Sequence, residues 1–373
     1  MLYKRMPIEM ESPEEFGYDR ILYNLSESSV TDLKMSDLQL SLNDLDLSYI
    51  AHRGKPAFRS LLASEAGIPH PDQVLITNGA AGALFIVNTA LLSANDHLII
   101  VRPNYATNIV VPRTIGCDIT YIDLSFEENW KIDLDSIARA VRPNTRLISI
   151  TSPHNPTGMV MSAEEMEGII DLAEHLGVFL LVDETYRDIC FKTPYPIAAT
   201  RSRQVISVSS LSKAYGLPGL RIGWLMTQHE ELMEQFLAAK EMIYINNSAL
   251  DEEVAHQFYL QKEQLIGRIE ARTHRNFDLL KKWLGVEQRM EAVLPQGGVV
   301  CFPRFKPDVP INTAKFYETL VHTYQTMVGP GHWFEMPDTY LRIGFGFTSA
   351  EVFEKGLECI SKAANESLRS GPR

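Results

Sequence analysis

The sequence predicts an α/β protein with a large domain built on a mainly parallel β-sheet and a smaller α+β C-terminal domain. Three observations predict this class. Between residues 73 and 182, short apolar runs alternate with amphipathic helical stretches, and wholly apolar strands are typical of parallel sheets covered by helices on both faces. After about residue 227 the chain changes to long, charged helices. Beyond them, short strands precede a final helix, which indicates a separate lobe.

The individual elements follow from apolar periodicity and from capping and breaking residues. Strands are predicted at residues 73–77, 97–101, 118–124, 147–151, 178–182, 205–208, 222–226, 298–302 and 340–345. Helices are predicted after Pro56 and at residues 80–92, 133–141, 163–176, 230–242, 252–283 and 350–368. The stretch NLSESSVTDL, residues 24–33, is predicted to form a short strand, a turn and the capped start of a helix.

Composition narrows the classes of function. The chain has 373 residues and a net charge of -12, whereas nucleic-acid-binding surfaces need clustered Lys and Arg. Its four cysteines are scattered without disulfide or metal spacing, which indicates free thiols in a reducing compartment. Neither a signal peptide nor a stretch long enough to span a membrane is recognisable. We therefore expect a cytoplasmic protein with no nucleic-acid or membrane partner.

The most informative stretch follows the strand at residues 205–208. Ser210 and Ser212 place hydroxyls beside Lys213, and Arg221 comes eight residues after the lysine. An amine, hydroxyls and a guanidinium in one loop suit a ligand that carries both an aldehyde and a phosphate, such as pyridoxal 5′-phosphate (PLP). A surface loop with solvated charges is the alternative for the short Ser-x-Ser-Lys pattern alone.

The longer stretch SLSKAYGLPGLRIG, residues 210–223, resembles the lysine-site signature of the class I and II aminotransferases, which belong to the fold-type I PLP enzymes. This resemblance extends from about Tyr49 to Phe345. It implies a homodimer with the active site at the subunit interface, in which Lys213 holds PLP as a Schiff base. We assign residues 30–265 to the PLP-binding large domain, and residues 1–29 and 266–373 to the small domain.

Other candidate residues follow the predicted strands, because ligands of parallel sheets lie beyond the carboxyl ends of the strands. The turn Gly79-Ala80-Ala81 comes after the first strand, and its small residues allow backbone N–H groups to approach a phosphate. It resembles the family's phosphate-binding turn, although packing alone also explains such residues. Tyr105 follows the strand at residues 97–101 and matches the aromatic residue that stacks on the cofactor ring, the alternative being a solvent-facing tyrosine.

Two further strand ends match the family. Asn155 lies in an Asn-Pro-Thr-Gly turn that resembles the one whose asparagine bonds the phenolic oxygen of PLP. Asp183 ends the apolar strand at residues 178–182, where a buried carboxylate needs a cation. The resemblance implies that this cation is the pyridinium nitrogen and that Tyr186 also bonds the phenolic oxygen. A helix N-cap is the alternative role for Asp183.

Substrate binding is predicted in the C-terminal lobe, where Arg342 interrupts an apolar strand and needs an anion. It matches the arginine that clamps the substrate α-carboxylate, and Asn155 is assigned to substrate binding with it. Tyr49 resembles the tyrosine that reaches the partner subunit's PLP phosphate, or is an ordinary half-buried tyrosine. His154 is expected to pack in its loop. Arg53 is a weak candidate for a second, dicarboxylate-selecting arginine.

The resulting prediction is an aminotransferase that passes the amino group of an L-amino acid to a 2-oxo acid through a PLP Schiff base. A PLP-dependent β-lyase or an amino-acid cyclase on the same fold remains the alternative. A PLP-sensing transcription regulator would require a basic helix-turn-helix before residue 49, and that stretch is acidic.

Overall fold

A computed structural model of the chain describes residues 2–368. Its helices are α1 (Pro7–Met10), α2 (Pro13–Phe16), α3 (Pro56–Ala66), α4 (Gly79–Leu91), α5 (Ala106–Ile115), α6 (Leu134–Ala140), α7 (Ala163–Leu176), α8 (Glu230–Tyr244), α9 (Ala249–Val286), α10 (Thr313–His322) and α11 (Ala350–Glu366). Its strands are β1 (Tyr23–Asn24), β2 (Val74–Asn78), β3 (His97–Arg102), β4 (Asp118–Asp123), β5 (Thr145–Thr151), β6 (Phe179–Asp183), β7 (Val205–Ser210), β8 (Ile222–Met226), β9 (Met290–Glu291), β10 (Val300–Cys301), β11 (Arg304–Phe305), β12 (Thr326–Met327), β13 (Gly329–Pro330) and β14 (Leu341–Gly344).

A seven-stranded sheet organises the large part of the chain. Its strand order is β2-β8-β7-β6-β5-β3-β4. The pairs from β7 to β4 are parallel, whereas β8 runs antiparallel to both β2 and β7. The predicted α/β class with a mainly parallel sheet is therefore confirmed. Because β8 is reversed, its first residue lies at the same edge of the sheet as the last residues of its neighbours.

Helices cover both faces of this sheet, as its apolar strands require. Along β2, Leu75 packs into a buried cluster with α4, α5 and α8, whereas Val74 and Ile76 face the opposite cluster formed with α3, α7 and α9. This alternation is the two-residue period of a strand.

The C-terminal part contains smaller sheets. β14 lies between β10 and β13 in an antiparallel sheet, and β1 pairs in parallel with β12. The 38-residue helix α9 connects the large sheet to this part. The division into domains at residues 30–265 stays a prediction. Among residues 2–368, no helix combines the length and the apolar character that a membrane span needs.

The helix expected to begin within residues 24–33 does not form. Instead, this segment follows an irregular path whose backbone groups bond distant parts of the chain. Leu25 accepts a hydrogen bond from the Gly344 backbone N–H at 2.8 Å, and the Val30 N–H donates to the Lys213 carbonyl oxygen at 3.0 Å. Long-range partners therefore satisfy backbone groups that a helix would have paired locally. They bring the segment to the carboxyl edge of the sheet.

Candidate active site

A cavity of about 440 Å³ lies at the carboxyl edge of the large sheet and brings together most of the predicted site residues. The predicted residues that line it are Ala80, Ala81, Tyr105, Asn155, Asp183, Tyr186, Ser210, Ser212, Lys213, Arg221 and Arg342. They come from the ends of five strands or from the loops that follow them, together with β14. A larger cavity of about 580 Å³ shares Thr151 with it but contains none of these residues.

Lys213 lies in the loop that follows β7. Among residues 2–368 its ammonium group makes no hydrogen bond or ion pair, and burial lowers its pKa. Arg342 and Arg221 lower the pKa further, whereas Glu27 opposes them. Burial and like charges thus favour the neutral amine, which is the nucleophilic form.

The phosphate-binding candidates meet where β2 ends and β8 begins. Asn78 pairs in register with Ile222, so Arg221 lies beside the start of α4. A β-carbon on Gly79 would lie 2.8 Å from an Arg221 guanidinium nitrogen, and the φ angle of Gly79 is +70°. Gly79 therefore allows the arginine to approach without lining the cavity itself. The start of α4 has no side-chain cap, which leaves its first N–H groups available to an anion.

Asp183 ends β6 and is only 5% exposed. Burial raises the pKa of its carboxyl group, and hydrogen bonds from Thr185 and Asn108 oppose this effect. Thr185 donates through its hydroxyl at 2.6 Å and its backbone N–H at 3.1 Å, and the Asn108 amide lies 3.5 Å away. Within the described residues these donors are neutral, so a cationic ring nitrogen would supply the missing countercharge.

Sequence reasoning missed both residues that orient Asp183. Thr185 could have been found from its spacing, because a hydroxyl two residues after an aspartate commonly bonds that carboxylate in a turn. No comparable local signal marks Asn108, which reaches the carboxylate only because α5 lies against the end of β6.

Arg342 and Tyr186 are both tied to the segment that follows β1. The Arg342 guanidinium donates to the Ser26 carbonyl oxygen at 2.7 Å and to the Asn155 side-chain oxygen at 3.1 Å. Tyr186 donates to the Ser28 carbonyl oxygen at 2.8 Å. Arg342 is 3% exposed, and burial lowers its pKa. In the described part of the chain its Nε has no hydrogen-bond partner. A buried guanidinium with a spare donor is suited to bind a carboxylate.

The N-terminal part of the chain contributes a wall that the sequence did not predict. Side chains from α1, α2 and the segment after β1 line the cavity; they are Met6, Ile8, Glu9, Ser12, Pro13, Glu14, Ser26, Glu27 and Ser28. No motif marks these positions. They reach the site through contacts with residues much later in the chain.

Besides Gly79, three predicted or questioned residues lie outside the cavity. Tyr49 is 80% exposed in the single chain. Its contact with a partner subunit stays a prediction. Arg53 forms an ion pair with Glu234 and donates to the Asp72 carbonyl oxygen at 2.8 Å. His154 is buried, with its ring nitrogens 2.8 Å from the Thr157 hydroxyl and 3.0 Å from the Pro103 carbonyl oxygen. Burial lowers the pKa of His154 to about 4, consistent with its expected packing role.

The donors in the cavity fit PLP. The amine of Lys213 matches the aldehyde, and Arg221 with the uncapped start of α4 matches the phosphate. Buried Asp183 lacks the countercharge that a pyridinium would provide. The unpaired Nε of Arg342 leaves a further anion-binding group for a substrate.

Comparisons with known proteins agree with this assignment. The family described as aminotransferase class I and II matches residues 23–359. Capreomycidine synthase from Streptomyces vinaceus is 29% identical over 309 residues, covering 82% of this chain and 78% of that protein. Aspartate aminotransferase from Thermotoga maritima is 26% identical over 333 residues, covering 86% and 84%.

A solved structure supports the same conclusion along the whole chain. A PLP-dependent aminotransferase from Streptococcus suis 89-1591 superposes with a TM-score of 0.90 at 27% identity, covering 100% of both chains. The family match spans the large sheet, the lysine loop and β14. The chain therefore belongs to the class I and II aminotransferases and is a PLP-dependent enzyme of fold type I.

Proposed function

We propose that the residues around Lys213 carry out the amino transfer of this aminotransferase, between an L-amino acid and a 2-oxo acid. The observation that supports this proposal is the convergence of an amine, a buried carboxylate and two guanidiniums in one cavity. Bound PLP supplies an aldehyde for the amino group and a ring that accepts electrons. The chain's own residues hold this group, orient the substrate and move the proton.

Lys213 would hold the cofactor through its aldehyde and would also serve as the general base. Once the substrate amine takes its place on the cofactor, the freed Lys213 amine would take the proton from the substrate Cα. The lowered pKa of Lys213 supports this role, because a neutral amine at working pH can accept a proton.

The remaining cofactor contacts divide between the phosphate and the ring. The phosphate would be bound by Ser210, Ser212, Arg221 and the N–H groups of Ala80 and Ala81. Gly79 keeps the backbone close to the arginine. Asp183, oriented by Thr185 and Asn108, would pair with the ring nitrogen and keep it protonated. Tyr105 would stack on the ring. Asn155 and Tyr186 would bond its phenolic oxygen, with the Tyr186 hydroxyl turning away from the Ser28 carbonyl oxygen to which it donates in this structure.

Arg342 binds the α-carboxylate of the substrate. Its two hydrogen bonds to the Ser26 and Asn155 oxygens hold the guanidinium in place, and its Nε remains for the ligand. A fixed carboxylate orients the Cα–H bond toward the base, which is a positioning effect.

We further propose a homodimer in which Tyr49 reaches the partner subunit's phosphate site. Leu47 and Tyr49 are each 80% exposed, and Met242 is 87% exposed. The two segments lie together, because the His52 Nδ1 is 2.6 Å from the Glu241 carboxylate, and neighbouring exposed apolar side chains support a contact with a second copy. Light scattering at micromolar concentration tests the dimer.

A cytoplasmic location is proposed from the four cysteines, which are unpaired.

A cyclase is the second candidate, favoured by the similarity to capreomycidine synthase. The two candidates differ in the fate of the amino group. An aminotransferase leaves it on the cofactor, whereas a cyclase or a β-lyase returns the cofactor to its aldehyde form at the end of each turnover.

A half-reaction screen of the twenty common amino acids tests the proposal. The purified enzyme with PLP is mixed with each amino acid, and the absorbance of the aldehyde form is followed without an oxo acid. We expect at least one amino acid to remove the band and yield its 2-oxo acid, and an added oxo acid to restore it. Release of a cyclic product or a free thiol, without oxo acid, would contradict the assignment.

A further inference from the structure

The charges that line the cavity are unequal once the cofactor and the α-carboxylate are counted. Its cations are Lys213, Arg221 and Arg342, and the proposed function assigns all three. Of its carboxylates only Asp183 has an assigned cation. Glu9, Glu14 and Glu27 line the same cavity, and among residues 2–368 none of the three forms an ion pair. The substrate side is therefore acidic.

Of these three carboxylates, Glu27 has the backbone that is held by the contacts described above. It lies between Ser26 and Ser28, whose carbonyl oxygens bond Arg342 and Tyr186. A β-carbon on Gly344 would lie 1.7 Å from the Glu27 carbonyl oxygen, so only glycine lets this segment lie so close to β14. The backbone of Glu27 is thus fixed by neighbours that contact the candidate substrate-binding residues.

The side chain of Glu27 is half-buried and its interactions are weak. It accepts hydrogen bonds from the Tyr18 hydroxyl at 3.2 Å and the Asn24 amide at 3.5 Å, both neutral donors. Of the charges that favour the protonated form of Lys213, Glu27 contributes most. Glu27 also favours the charged form of Arg342. Its carboxylate therefore acts on two cations that the proposed function assigns to other partners, and it forms no ion pair among residues 2–368.

An independent observation places a ligand in the same space. Arg342 is 3% exposed and its Nε has no hydrogen-bond partner among residues 2–368, which calls for an anion in the cavity. Met6, Ile8 and Trp333 add apolar side chains to the lining of the same cavity. A guanidinium with a spare donor, apolar side chains and carboxylates without an ion pair, all lining one cavity, match an amino acid with a long basic side chain.

We propose that the substrate is an amino acid with a cationic side chain, and that Glu27, supported by Glu14 and Glu9, is the specificity-determining residue that binds the side-chain ammonium or guanidinium. The inference rests on the proposed function, in which Arg342 takes the α-carboxylate. It also implies that dicarboxylic amino acids bind poorly, because no unassigned cation among the described residues lines the cavity.

The experiment combines binding and kinetics on the PLP-loaded enzyme. Calorimetry compares 5-guanidinopentanoate, hexanoate and glutarate, which have no primary amine and cannot form a Schiff base with PLP. It also measures 6-aminohexanoate, with the cofactor absorbance followed in parallel to detect attachment through its terminal amine. Half-reaction rates compare L-arginine, L-lysine, L-norleucine and L-glutamate. We expect the cationic members to be favoured over the neutral ones by about tenfold or more in both measurements, as for a charge-assisted hydrogen bond. The guanidinium and ammonium arms show which cation is preferred.

Variants then locate the effect. Glu27→Gln should reduce the cationic-to-neutral ratio about tenfold, the size of one charge-assisted contact, and Glu14→Gln should reduce it less. Glu15→Gln is the matched control, because Glu15 neighbours Glu14 but pairs with Arg5 at 3.2 Å and does not line the cavity. Its ratio should equal that of the wild type.

Each negative result has a separate meaning. Equal binding of hexanoate and 5-guanidinopentanoate, tighter binding of glutarate, or an unchanged ratio in Glu27→Gln would overturn the inference. If Glu27→Gln does not fold, the wild-type comparison and Glu14→Gln decide. If no amino acid changes the cofactor absorbance, the proposed function fails, while the binding series still tests the acidic subsite.

Discussion

Replacing Arg342 with alanine tests how the enzyme holds the substrate carboxylate. The guanidinium is buried, bonds two protein oxygens and keeps Nε unpaired. Removing one partner of a buried ion pair costs about 3–5 kcal/mol. At about 1.4 kcal/mol per factor of ten, kcat/KM for the amino acid should fall by roughly two to three and a half orders of magnitude.

The assay measures the half-reaction of the best amino acid and of the amine that lacks its carboxylate. Wild-type enzyme should strongly prefer the amino acid, and in Arg342→Ala this preference should approach one. Arg342→Lys keeps the charge but not the planar fork, so an intermediate preference is expected. PLP absorbance verifies that each variant is loaded. A preference that survives in Arg342→Ala would refute the role, because the carboxylate would then bind elsewhere.

Two other predictions concern the residues that hold the cofactor, and a third concerns the pH dependence of the contacts of His332. Lys213→Ala with PLP should show no borohydride-reducible band; a reducible band would assign the attachment to another lysine. Asp183→Ala should raise the activation barrier by several kcal/mol and so lower kcat, which is about the effect of losing a preorganised charge. Near-wild-type turnover would exclude the ring-nitrogen contact. His332 is partly buried, which disfavours its charge, but bonds to Glu11 and Asp338 raise its pKa. These two hydrogen bonds should therefore stabilise the protein below about pH 6.5. Their effect should be lost as the pH rises through the raised pKa of His332, so His332→Gln should lower Tm more at pH 6 than at pH 9. An equal loss at both values would contradict it.

Much of the site could be predicted because its residues interrupt local patterns. Asp183 ends an apolar strand and Arg342 lies within one, and in both places a charge among buried residues calls for a partner. The loop that holds Lys213 and Arg221 combines groups that are rarely neighbours without a ligand. These signals depend only on residues close together in the sequence.

Other features depend on contacts that no local pattern contains. The reversal of β8, which brings Arg221 beside Gly79, is set by strand pairing and not by the apolar run itself. Helix α5 contains Pro112, a residue that ordinarily indicates a helix end. Glu27 belongs to no periodic apolar pattern in the sequence. Its position at the cavity depends on the close approach of its backbone that Gly344 allows.

The bond between Arg342 and the Ser26 carbonyl joins residues 316 positions apart. During translation, Ser26 therefore leaves the ribosome long before its partner has been made. Until β14 is synthesised, the substrate end of the cavity lacks both its guanidinium and the strand that anchors residues 25–28. A nascent chain that already contains the complete seven-stranded sheet should thus be able to hold the cofactor before it can select a substrate.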